Sequence, residues 1–321
     1  MIAFERAWTP DTHFETIGCR GGDLARAIAR LEGGCACRVL VGVDADEVAR
    51  ATVRAAQACG CESTLVRTCE LDEAGLVCVT PVRARCEEAA GEGALAVVQN
   101  GEVGPWLCRP LMMGAAAVVE RLDAWLGVDA VAVCVRSTAL AESLLAALPA
   151  ACGDAHEPDP TTTALALRQL PFVSLRAQRR ADSALTVAHY LAAHPGVASV
   201  SYPGLPQDPC HDVAHATLDH GFGPLLAFTC AGASDIASAA REEAASAPEA
   251  PDAKGARVAG TGMEGRASCD GTRVRRLGVG DGAAYAVWVG LETPLDVVAG
   301  LEAMLAGSPE AEGPAGCVAM I

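Results

Sequence analysis

The sequence predicts an α/β fold with a mostly parallel sheet. Two observations carry that prediction. Short apolar runs alternate with amphipathic stretches through the first half of the chain, the rhythm of strand–helix repeats. Those runs are continuous in Val, Leu and Ala instead of alternating with polar residues, which is the pattern of strands covered on both faces. Composition adds a constraint on the core. Of the 321 residues, 51% are hydrophobic but only 4% are aromatic, so the interior is built from small aliphatic side chains.

The elements follow in order. Leu24, Ile28 and Leu31 recur at helical spacing, and Gly33-Gly34 ends that helix. Residues 38–43 (RVLVGV) read as a buried strand, after which Asp44 is placed to cap a helix running to Gly60. STLVRT, LVCVTPV and ALAVVQN read as short strands, with RARCEEAA as a helix between the last two. Residues 130–135 (AVAVCV) form another strand, and STALAESLLAAL another helix with Ser137 as its cap. A polar connection over 152–163 leads into a long helical stretch from about Thr163 to His194, then GVASVSYPGLP reads as strand and turn. Residues 244–255 read as a loop, YAVWVG as a late strand, PLDVVAGLEAML as a closing amphipathic helix, and 307–321 as a flexible tail rich in Gly, Pro and Glu. The predicted organisation is a shortened large α/β domain over 1–158, a linking helix with a smaller C-terminal α/β domain over 159–306, and the tail.

Charge narrows the function. The formal net charge is −16, which argues against nucleic acid and anionic membranes, since both reward clustered basic residues. No apolar run reaches membrane-spanning length, and the first residues lack the apolar core of a signal peptide. The 15 cysteines are odd in number and scattered, several in apolar runs such as Cys78 and Cys134. They read as free thiols of a cytoplasmic protein. Cys35/Cys37 and Cys59/Cys61 are spaced C-x-C, not the C-x-x-C of zinc or redox sites.

Other motifs are weaker. GTGMEG (Gly260 to Gly265) has dinucleotide-loop spacing but lies late in the chain, with no convincing helix in the RASCDG after it, and reads as a loop. HDVAH places His211 and His215 one turn apart with Asp212 between them. It reads as a surface helix that tolerates histidine, the alternative being a zinc site. Trp106, Trp125 and Trp288 read as packing or interface residues.

Three stretches together carry a resemblance. Leu24 to Gly34 (LARAIARLEGG), Ala94 to Glu120 (ALAVVQNGEVGPWLCRPLMMGAAAVVE) and Leu175 to Phe228, with the late WVGLETPLDVVAGLEAML, match in order and spacing a family of enzymes of cysteine and methionine metabolism. The chain resembles the trans-sulfuration family of pyridoxal-phosphate enzymes, whose members include cystathionine γ-synthase, cystathionine lyases and O-acetylhomoserine sulfhydrylase. The resemblance implies the aspartate-aminotransferase-like fold of fold-type I enzymes and assembly as an oligomer.

Carried over residue by residue, the family's working positions are altered here. The aspartate that pairs with the cofactor's pyridine nitrogen falls at Gln99, and the lysine that bonds the cofactor falls at Ala124. The chain has a single lysine, Lys254, far from that position, and arginine cannot replace it because the bond needs a primary amine. The hydroxyl residues that hold the phosphate fall at Arg121 and Asp123. The phosphate loop matches Gly42-Val43-Asp44, where a carboxylate repels a phosphate. A Tyr-x-Arg pair from a neighbouring subunit falls at His13 and Glu15, which reverses a charge. The ring-stacking segment is missing around Gly60 to Ser63, and the carboxylate-binding arginine falls at Ala286, a second register placing Arg275 there.

These losses lead to the expectation of a catalytically silent relative with no catalytic residue, no cofactor and no metal, which keeps the fold and oligomerises with itself or with an active paralogue. Two alternatives stand beside it. One is an active carbon–sulfur lyase or synthase that uses Lys254, and the other is a module binding a small molecule without covalent chemistry.

Overall fold

The computed structural model describes residues 21–153, 155–230, 270–277, 284–305 and 318–319. In chain order the first half contains α1 (Gly21–Glu32), β1 (Ala36–Leu40), α2 (Ala45–Ala58), β2 (Ser63–Arg67), β3 (Cys69–Leu71), β4 (Val77–Val79), α3 (Val82–Gly91), β5 (Leu95–Gln99), β6 (Ala117–Arg121), α4 (Leu122–Leu126) and β7 (Val131–Val135). A helical stretch follows over residues 138–151, with a π turn at Ala141–Leu145. Ser137 caps it as expected, its hydroxyl accepting from the Leu140 N–H.

Five strands make the first sheet in the order β1-β7-β6-β5-β2. β2, β5 and β6 pair in parallel, and β7 runs antiparallel to both β6 and β1. All strands except β7 therefore point the same way, giving the mostly parallel sheet that the continuous apolar runs predict. Side chains alternate between its faces. Val97, Val119 and Val133 pack under α2 and the helical stretch at 138–151. Val98, Val118 and Cys134 join a second core with Leu24 and Ile28 of α1. Each fully buried valine contributes roughly 1.5–3 kcal/mol, so two covered faces hold the sheet without large aromatics.

Two expectations change. LVCVTPV does not enter the main sheet. Its three-residue strand β4 pairs only with β3 as a hairpin, because Pro81 lacks an N–H and α3 begins at once after it. The long helix near 163–194 is two helices, α5 (Pro160–Gln169) and α6 (Val173–Ala193), separated by a tight turn at Leu170–Phe172 where Pro171 interrupts the hydrogen-bond ladder.

The second half holds β8 (Val197–Ser201), α7 (His211–Thr217), β9 (Leu225–Cys230), β10 (Arg273–Leu277), β11 (Ala284–Trp288), α8 (Pro294–Leu305) and β12 (Val318–Ala319). Its strands form an antiparallel sheet in the order β12-β10-β11-β9-β8. Val318 and Ala319 lie within the stretch read as a flexible tail, yet they pair with β10. One face, through Phe228, Val274 and Val287, packs on Val187 and Leu191 of α6 and Leu301 of α8. The other face, through Leu225, Ala227, Ala286 and Trp288, packs against the core of the first sheet. The seam between the two sheets holds the candidate site. Among the described residues, no helix is long and apolar enough to cross a membrane. Residues 244–255 and 260–265 lie outside the described residues.

Candidate functional site

The site forms where the start of α2 meets the ends of β5 and β6. Asp44 caps α2 through its Oδ1, which accepts from the Asp46 N–H at 2.7 Å. With Asp46 and Glu47, the first turn of α2 carries carboxylates where a phosphate would need free N–H groups. Gly42 keeps the positive φ of +77° that such a loop uses, but the charge beside it is wrong for an anion. Gln99, at the end of β5, donates from Nε2 to Asp46 Oδ1 at 2.6 Å and accepts at Oε1 from Arg67 Nε at 3.1 Å. Its amide is engaged on both sides within the protein.

At the end of β6 the Arg121 guanidinium bridges two carboxylates, at 3.0 Å to Glu102 Oε1 and 2.7 Å to Asp123 Oδ2. Burial opposes its charge, but the two carboxylates outweigh that and raise its pKa. Gly101 lets this side chain lie close, since a Cβ there would meet Arg121 Cδ at 2.8 Å. Glu102 also accepts the Trp288 indole N–H at 2.7 Å, which ties the first sheet's end to β11. Ala124 sits one residue beyond Asp123 in α4 and offers only a methyl group. Arg121, Asp123 and Ala124 are thus brought together, with Arg121 and Asp123 satisfying each other.

Sequence reasoning missed the deepest polar group. Glu32, the last residue of α1, and Glu120 on β6 are both fully buried. Asn100 donates to Glu120 Oε1 at 2.6 Å and to the Cys108 carbonyl at 3.0 Å. Both Glu32 oxygens, Glu120 Oε2 and Asn100 Oδ1 lack hydrogen-bond partners among the described residues. Burial pushes the Glu32 pKa up to about 8, against smaller opposing effects from Glu120 and Arg109. Burial and then the Glu32 charge raise Glu120 as well. Two adjacent carboxyls in a dry core hold protons. The one available signal was Glu120 itself, a charged residue closing the apolar run GAAAVVE.

Ala286 is fully buried on β11, and Arg275 of β10 is its direct cross-strand partner. His13, Glu15 and Lys254 lie outside the described residues. His211 and His215 do share a helix, α7, with ring centroids 6.4 Å apart. His211 Nδ1 lies 2.8 Å from the Pro203 carbonyl and its ring stacks on Phe222, which is structural work.

Comparison with known proteins bears on the family and the fold. The sequence profile of the "Cys/Met metabolism PLP-dependent enzyme" family matches residues 69–247. A cystathionine gamma-synthase of Mycobacterium leprae is 35% identical over 133 residues, 41% of this chain and 34% of that protein. A chloroplastic cystathionine beta-lyase of Mimosa pudica is 32% identical over 146 residues, 44% of this chain and 31% of that protein. In such matches the chain spans between about a third and a half of the relative's length. The fold superposes on a crystal structure of cystathionine gamma synthase from Xanthomonas oryzae pv. oryzae with a TM-score of 0.65 at 21% identity, covering 94% of this chain and 87% of that one.

The matched family depends on pyridoxal phosphate, which corrects the expectation of no cofactor: this is the cofactor that the family implies. The described residues do not fit the family's way of holding it. None of them is a lysine, Gln99 and Arg121 are engaged internally, and the Asp44 carboxylate occupies the Asp46 N–H at the start of α2. The matched profile covers more than half of the sequence, the two-sheet fold agrees with it, and the chain belongs to the Cys/Met metabolism family of pyridoxal-phosphate-dependent enzymes.

Proposed function

We propose that this chain is a catalytically silent member of its family, a cytoplasmic protein acting as an oligomeric or regulatory subunit with copies of itself or with an active paralogue. One observation carries the reading. Where the resemblance places the cofactor-bonding lysine and its flanking hydroxyls, the chain has Ala124 beside Arg121 and Asp123, and those two are closed into an ion-pair network with Glu102. A network of this kind offers no primary amine for covalent chemistry at a carbon–sulfur bond.

Adding excess pyridoxal phosphate to purified protein and recording the absorption spectrum before and after borohydride tests the proposal. The expected result, once free cofactor has been removed by gel filtration, is no protein-bound, borohydride-sensitive band and no turnover of sulfur amino acids. A reduced adduct mapped to Lys254 by mass spectrometry, together with turnover, establishes the active-enzyme alternative instead. Sedimentation of the chain, alone and mixed with a lysine-containing homologue, tests assembly. A monomer under both conditions counts against the subunit role.

A further inference from the structure

Two free thiols face each other at the edge of the first sheet, and no feature described so far uses them. Cys37 of β1 and Cys134 of β7 are direct cross-strand partners. Partners of this kind project from the same face of a sheet. Cys134 is fully buried there with Leu24 and Ile28, and the half-buried Cys37 packs against the same core. The two thiols are hydrogen-bonding neighbours.

Backbone hydrogen bonds decide what kind of pair they form. Along a strand, successive N–H and C=O groups point to alternate sides. On β7, the Ala130 carbonyl accepts from the Leu122 N–H, and the Arg136 N–H donates to the Ala116 carbonyl. Ala116 and Leu122 flank β6, so the even-numbered residues of β7, Cys134 among them, direct their backbone groups to β6. On β1 the alternation agrees. Val41, four residues past Cys37, exchanges both of its backbone bonds with His156 and none with β7. Cys37 and Cys134 are therefore a non-hydrogen-bonded pair, the closer of the two antiparallel kinds, with Cα atoms ~4.5 Å apart. A disulfide needs roughly 4.4–6.8 Å between Cα atoms. The spacing permits the bond with little backbone movement.

We infer that Cys37 and Cys134 form a reversible redox latch, closing to a disulfide when a small-molecule disulfide oxidises them. Cys37 is the one solvent reaches, so its thiolate attacks first. Its sulfur bonds to one sulfur of the oxidant, the oxidant's S–S bond breaks, and one thiol leaves. Burial, reinforced by the Cys37 thiol, keeps Cys134 protonated, so it acts second. Its sulfur bonds to Cys37 Sγ, and its proton departs with the second thiol. Two protein thiols are oxidised and one external disulfide is reduced to two thiols. In a reducing compartment the pair stays open until oxidant accumulates, which is the behaviour of a sensor. The closed latch ties the edge strand β1 to β7 and encloses a loop of about 100 residues that carries the whole candidate site. It uses no cofactor, so it holds or fails separately from the catalytic reading above.

The test equilibrates the full-length chain with excess oxidised glutathione, quenches with acid, blocks remaining thiols with N-ethylmaleimide and maps tryptic peptides by mass spectrometry. The expected product joins residues 31–38 to residues 122–136 and is undone by dithiothreitol. Cys35→Ser removes the other thiol of the first peptide and is expected to leave the link intact. Cys37→Ser and Cys134→Ala are each expected to abolish it, and Cys37→Ser carries the test alone if the buried substitution unfolds the chain. Oxidised wild type is expected to melt about 5 °C above the reduced form, a rise that Cys37→Ser loses. Glutathione left on Cys37 beside a free Cys134, Cys134 joined to any other cysteine, a link that survives Cys37→Ser, or no link at all would each overturn the assignment. Circular dichroism of each reduced variant separates a lost bond from a lost fold.

Discussion

Glu120 and Arg121 are consecutive residues at the end of β6, and the protein handles their charges in opposite ways. Arg121 keeps about a quarter of its side chain in solvent and is held between Glu102 and Asp123, so its charge is matched by geometry. Glu120 is fully buried beside another carboxyl, and part of its hydrogen-bonding capacity goes unmet. Its charge is suppressed by protonation. The difference teaches that depth decides the remedy: at the seam an ion pair is cheap to form, whereas in the dry core neutralisation costs less than pairing.

The largest way to break the comparison is pH. The Glu32 carboxyl has an ordinary value of 4.5 unfolded and is pushed up to about 8 in the fold. The folded chain therefore holds a proton that the unfolded chain releases, so this stabilisation is complete below the unfolded value and is lost as pH rises through the folded one. The unfolding temperature is expected to fall by about 5 °C or more between roughly pH 5 and roughly pH 9. Glu32→Gln, which cannot ionise, is expected to reduce that slope, the buried Glu120 supplying the remainder, and to be the more stable form at the alkaline end. A wild-type profile that stays level over this range sinks the idea of a protonated pair.

Arg121→Ala comes next. It leaves Glu102 and Asp123 half-buried and repelling one another, and is expected to destabilise by about 2 kcal/mol, less than a fully buried pair because solvent reaches this one. Denaturant titration measures it, and a midpoint unchanged from wild type would show that the network is decorative. Asp123→Asn keeps the shape and removes one charge, with an expected loss of about 1 kcal/mol by the same measurement. Trp288→Phe is the mildest change. It deletes the N–H donated to Glu102 and part of the aromatic surface under Arg275, and about 0.5–1 kcal/mol is expected. Coupling between Trp288→Phe and Arg121→Ala in a double-mutant cycle sharpens the picture, because additive effects would mean that Glu102 does not connect the two.

How much of this was legible beforehand depended on the range of the interaction. Asp44 as the cap of α2 and Ser137 as the cap of the 138–151 stretch could be read from neighbouring residues, because a cap bonds only two or three positions ahead. The altered positions Gln99, Ala124, Arg121 and Asp123 could be named from the resemblance, but not the bonds that hold them. The Glu32–Glu120 pair was not legible. Glu32 ends α1 and Glu120 is the penultimate residue of β6, and nothing local says that the fold puts them side by side. LVCVTPV has the pattern of a main-sheet strand and was misplaced because pairing partners are chosen by tertiary competition, not by pattern.

The sequence by itself determined most of the strand and helix segments and which family the chain resembles, and that resemblance puts Ala124 where the family bonds its cofactor. Periodicity, caps and residue identity are properties of a few adjacent positions, so they survive without coordinates. Only the tertiary structure decided that Arg121 is already paired, that two carboxyls meet in the core, and that Arg275 stands across from Ala286. Charges interact over a few ångströms of space regardless of their separation along the chain, and folding is what sets those distances.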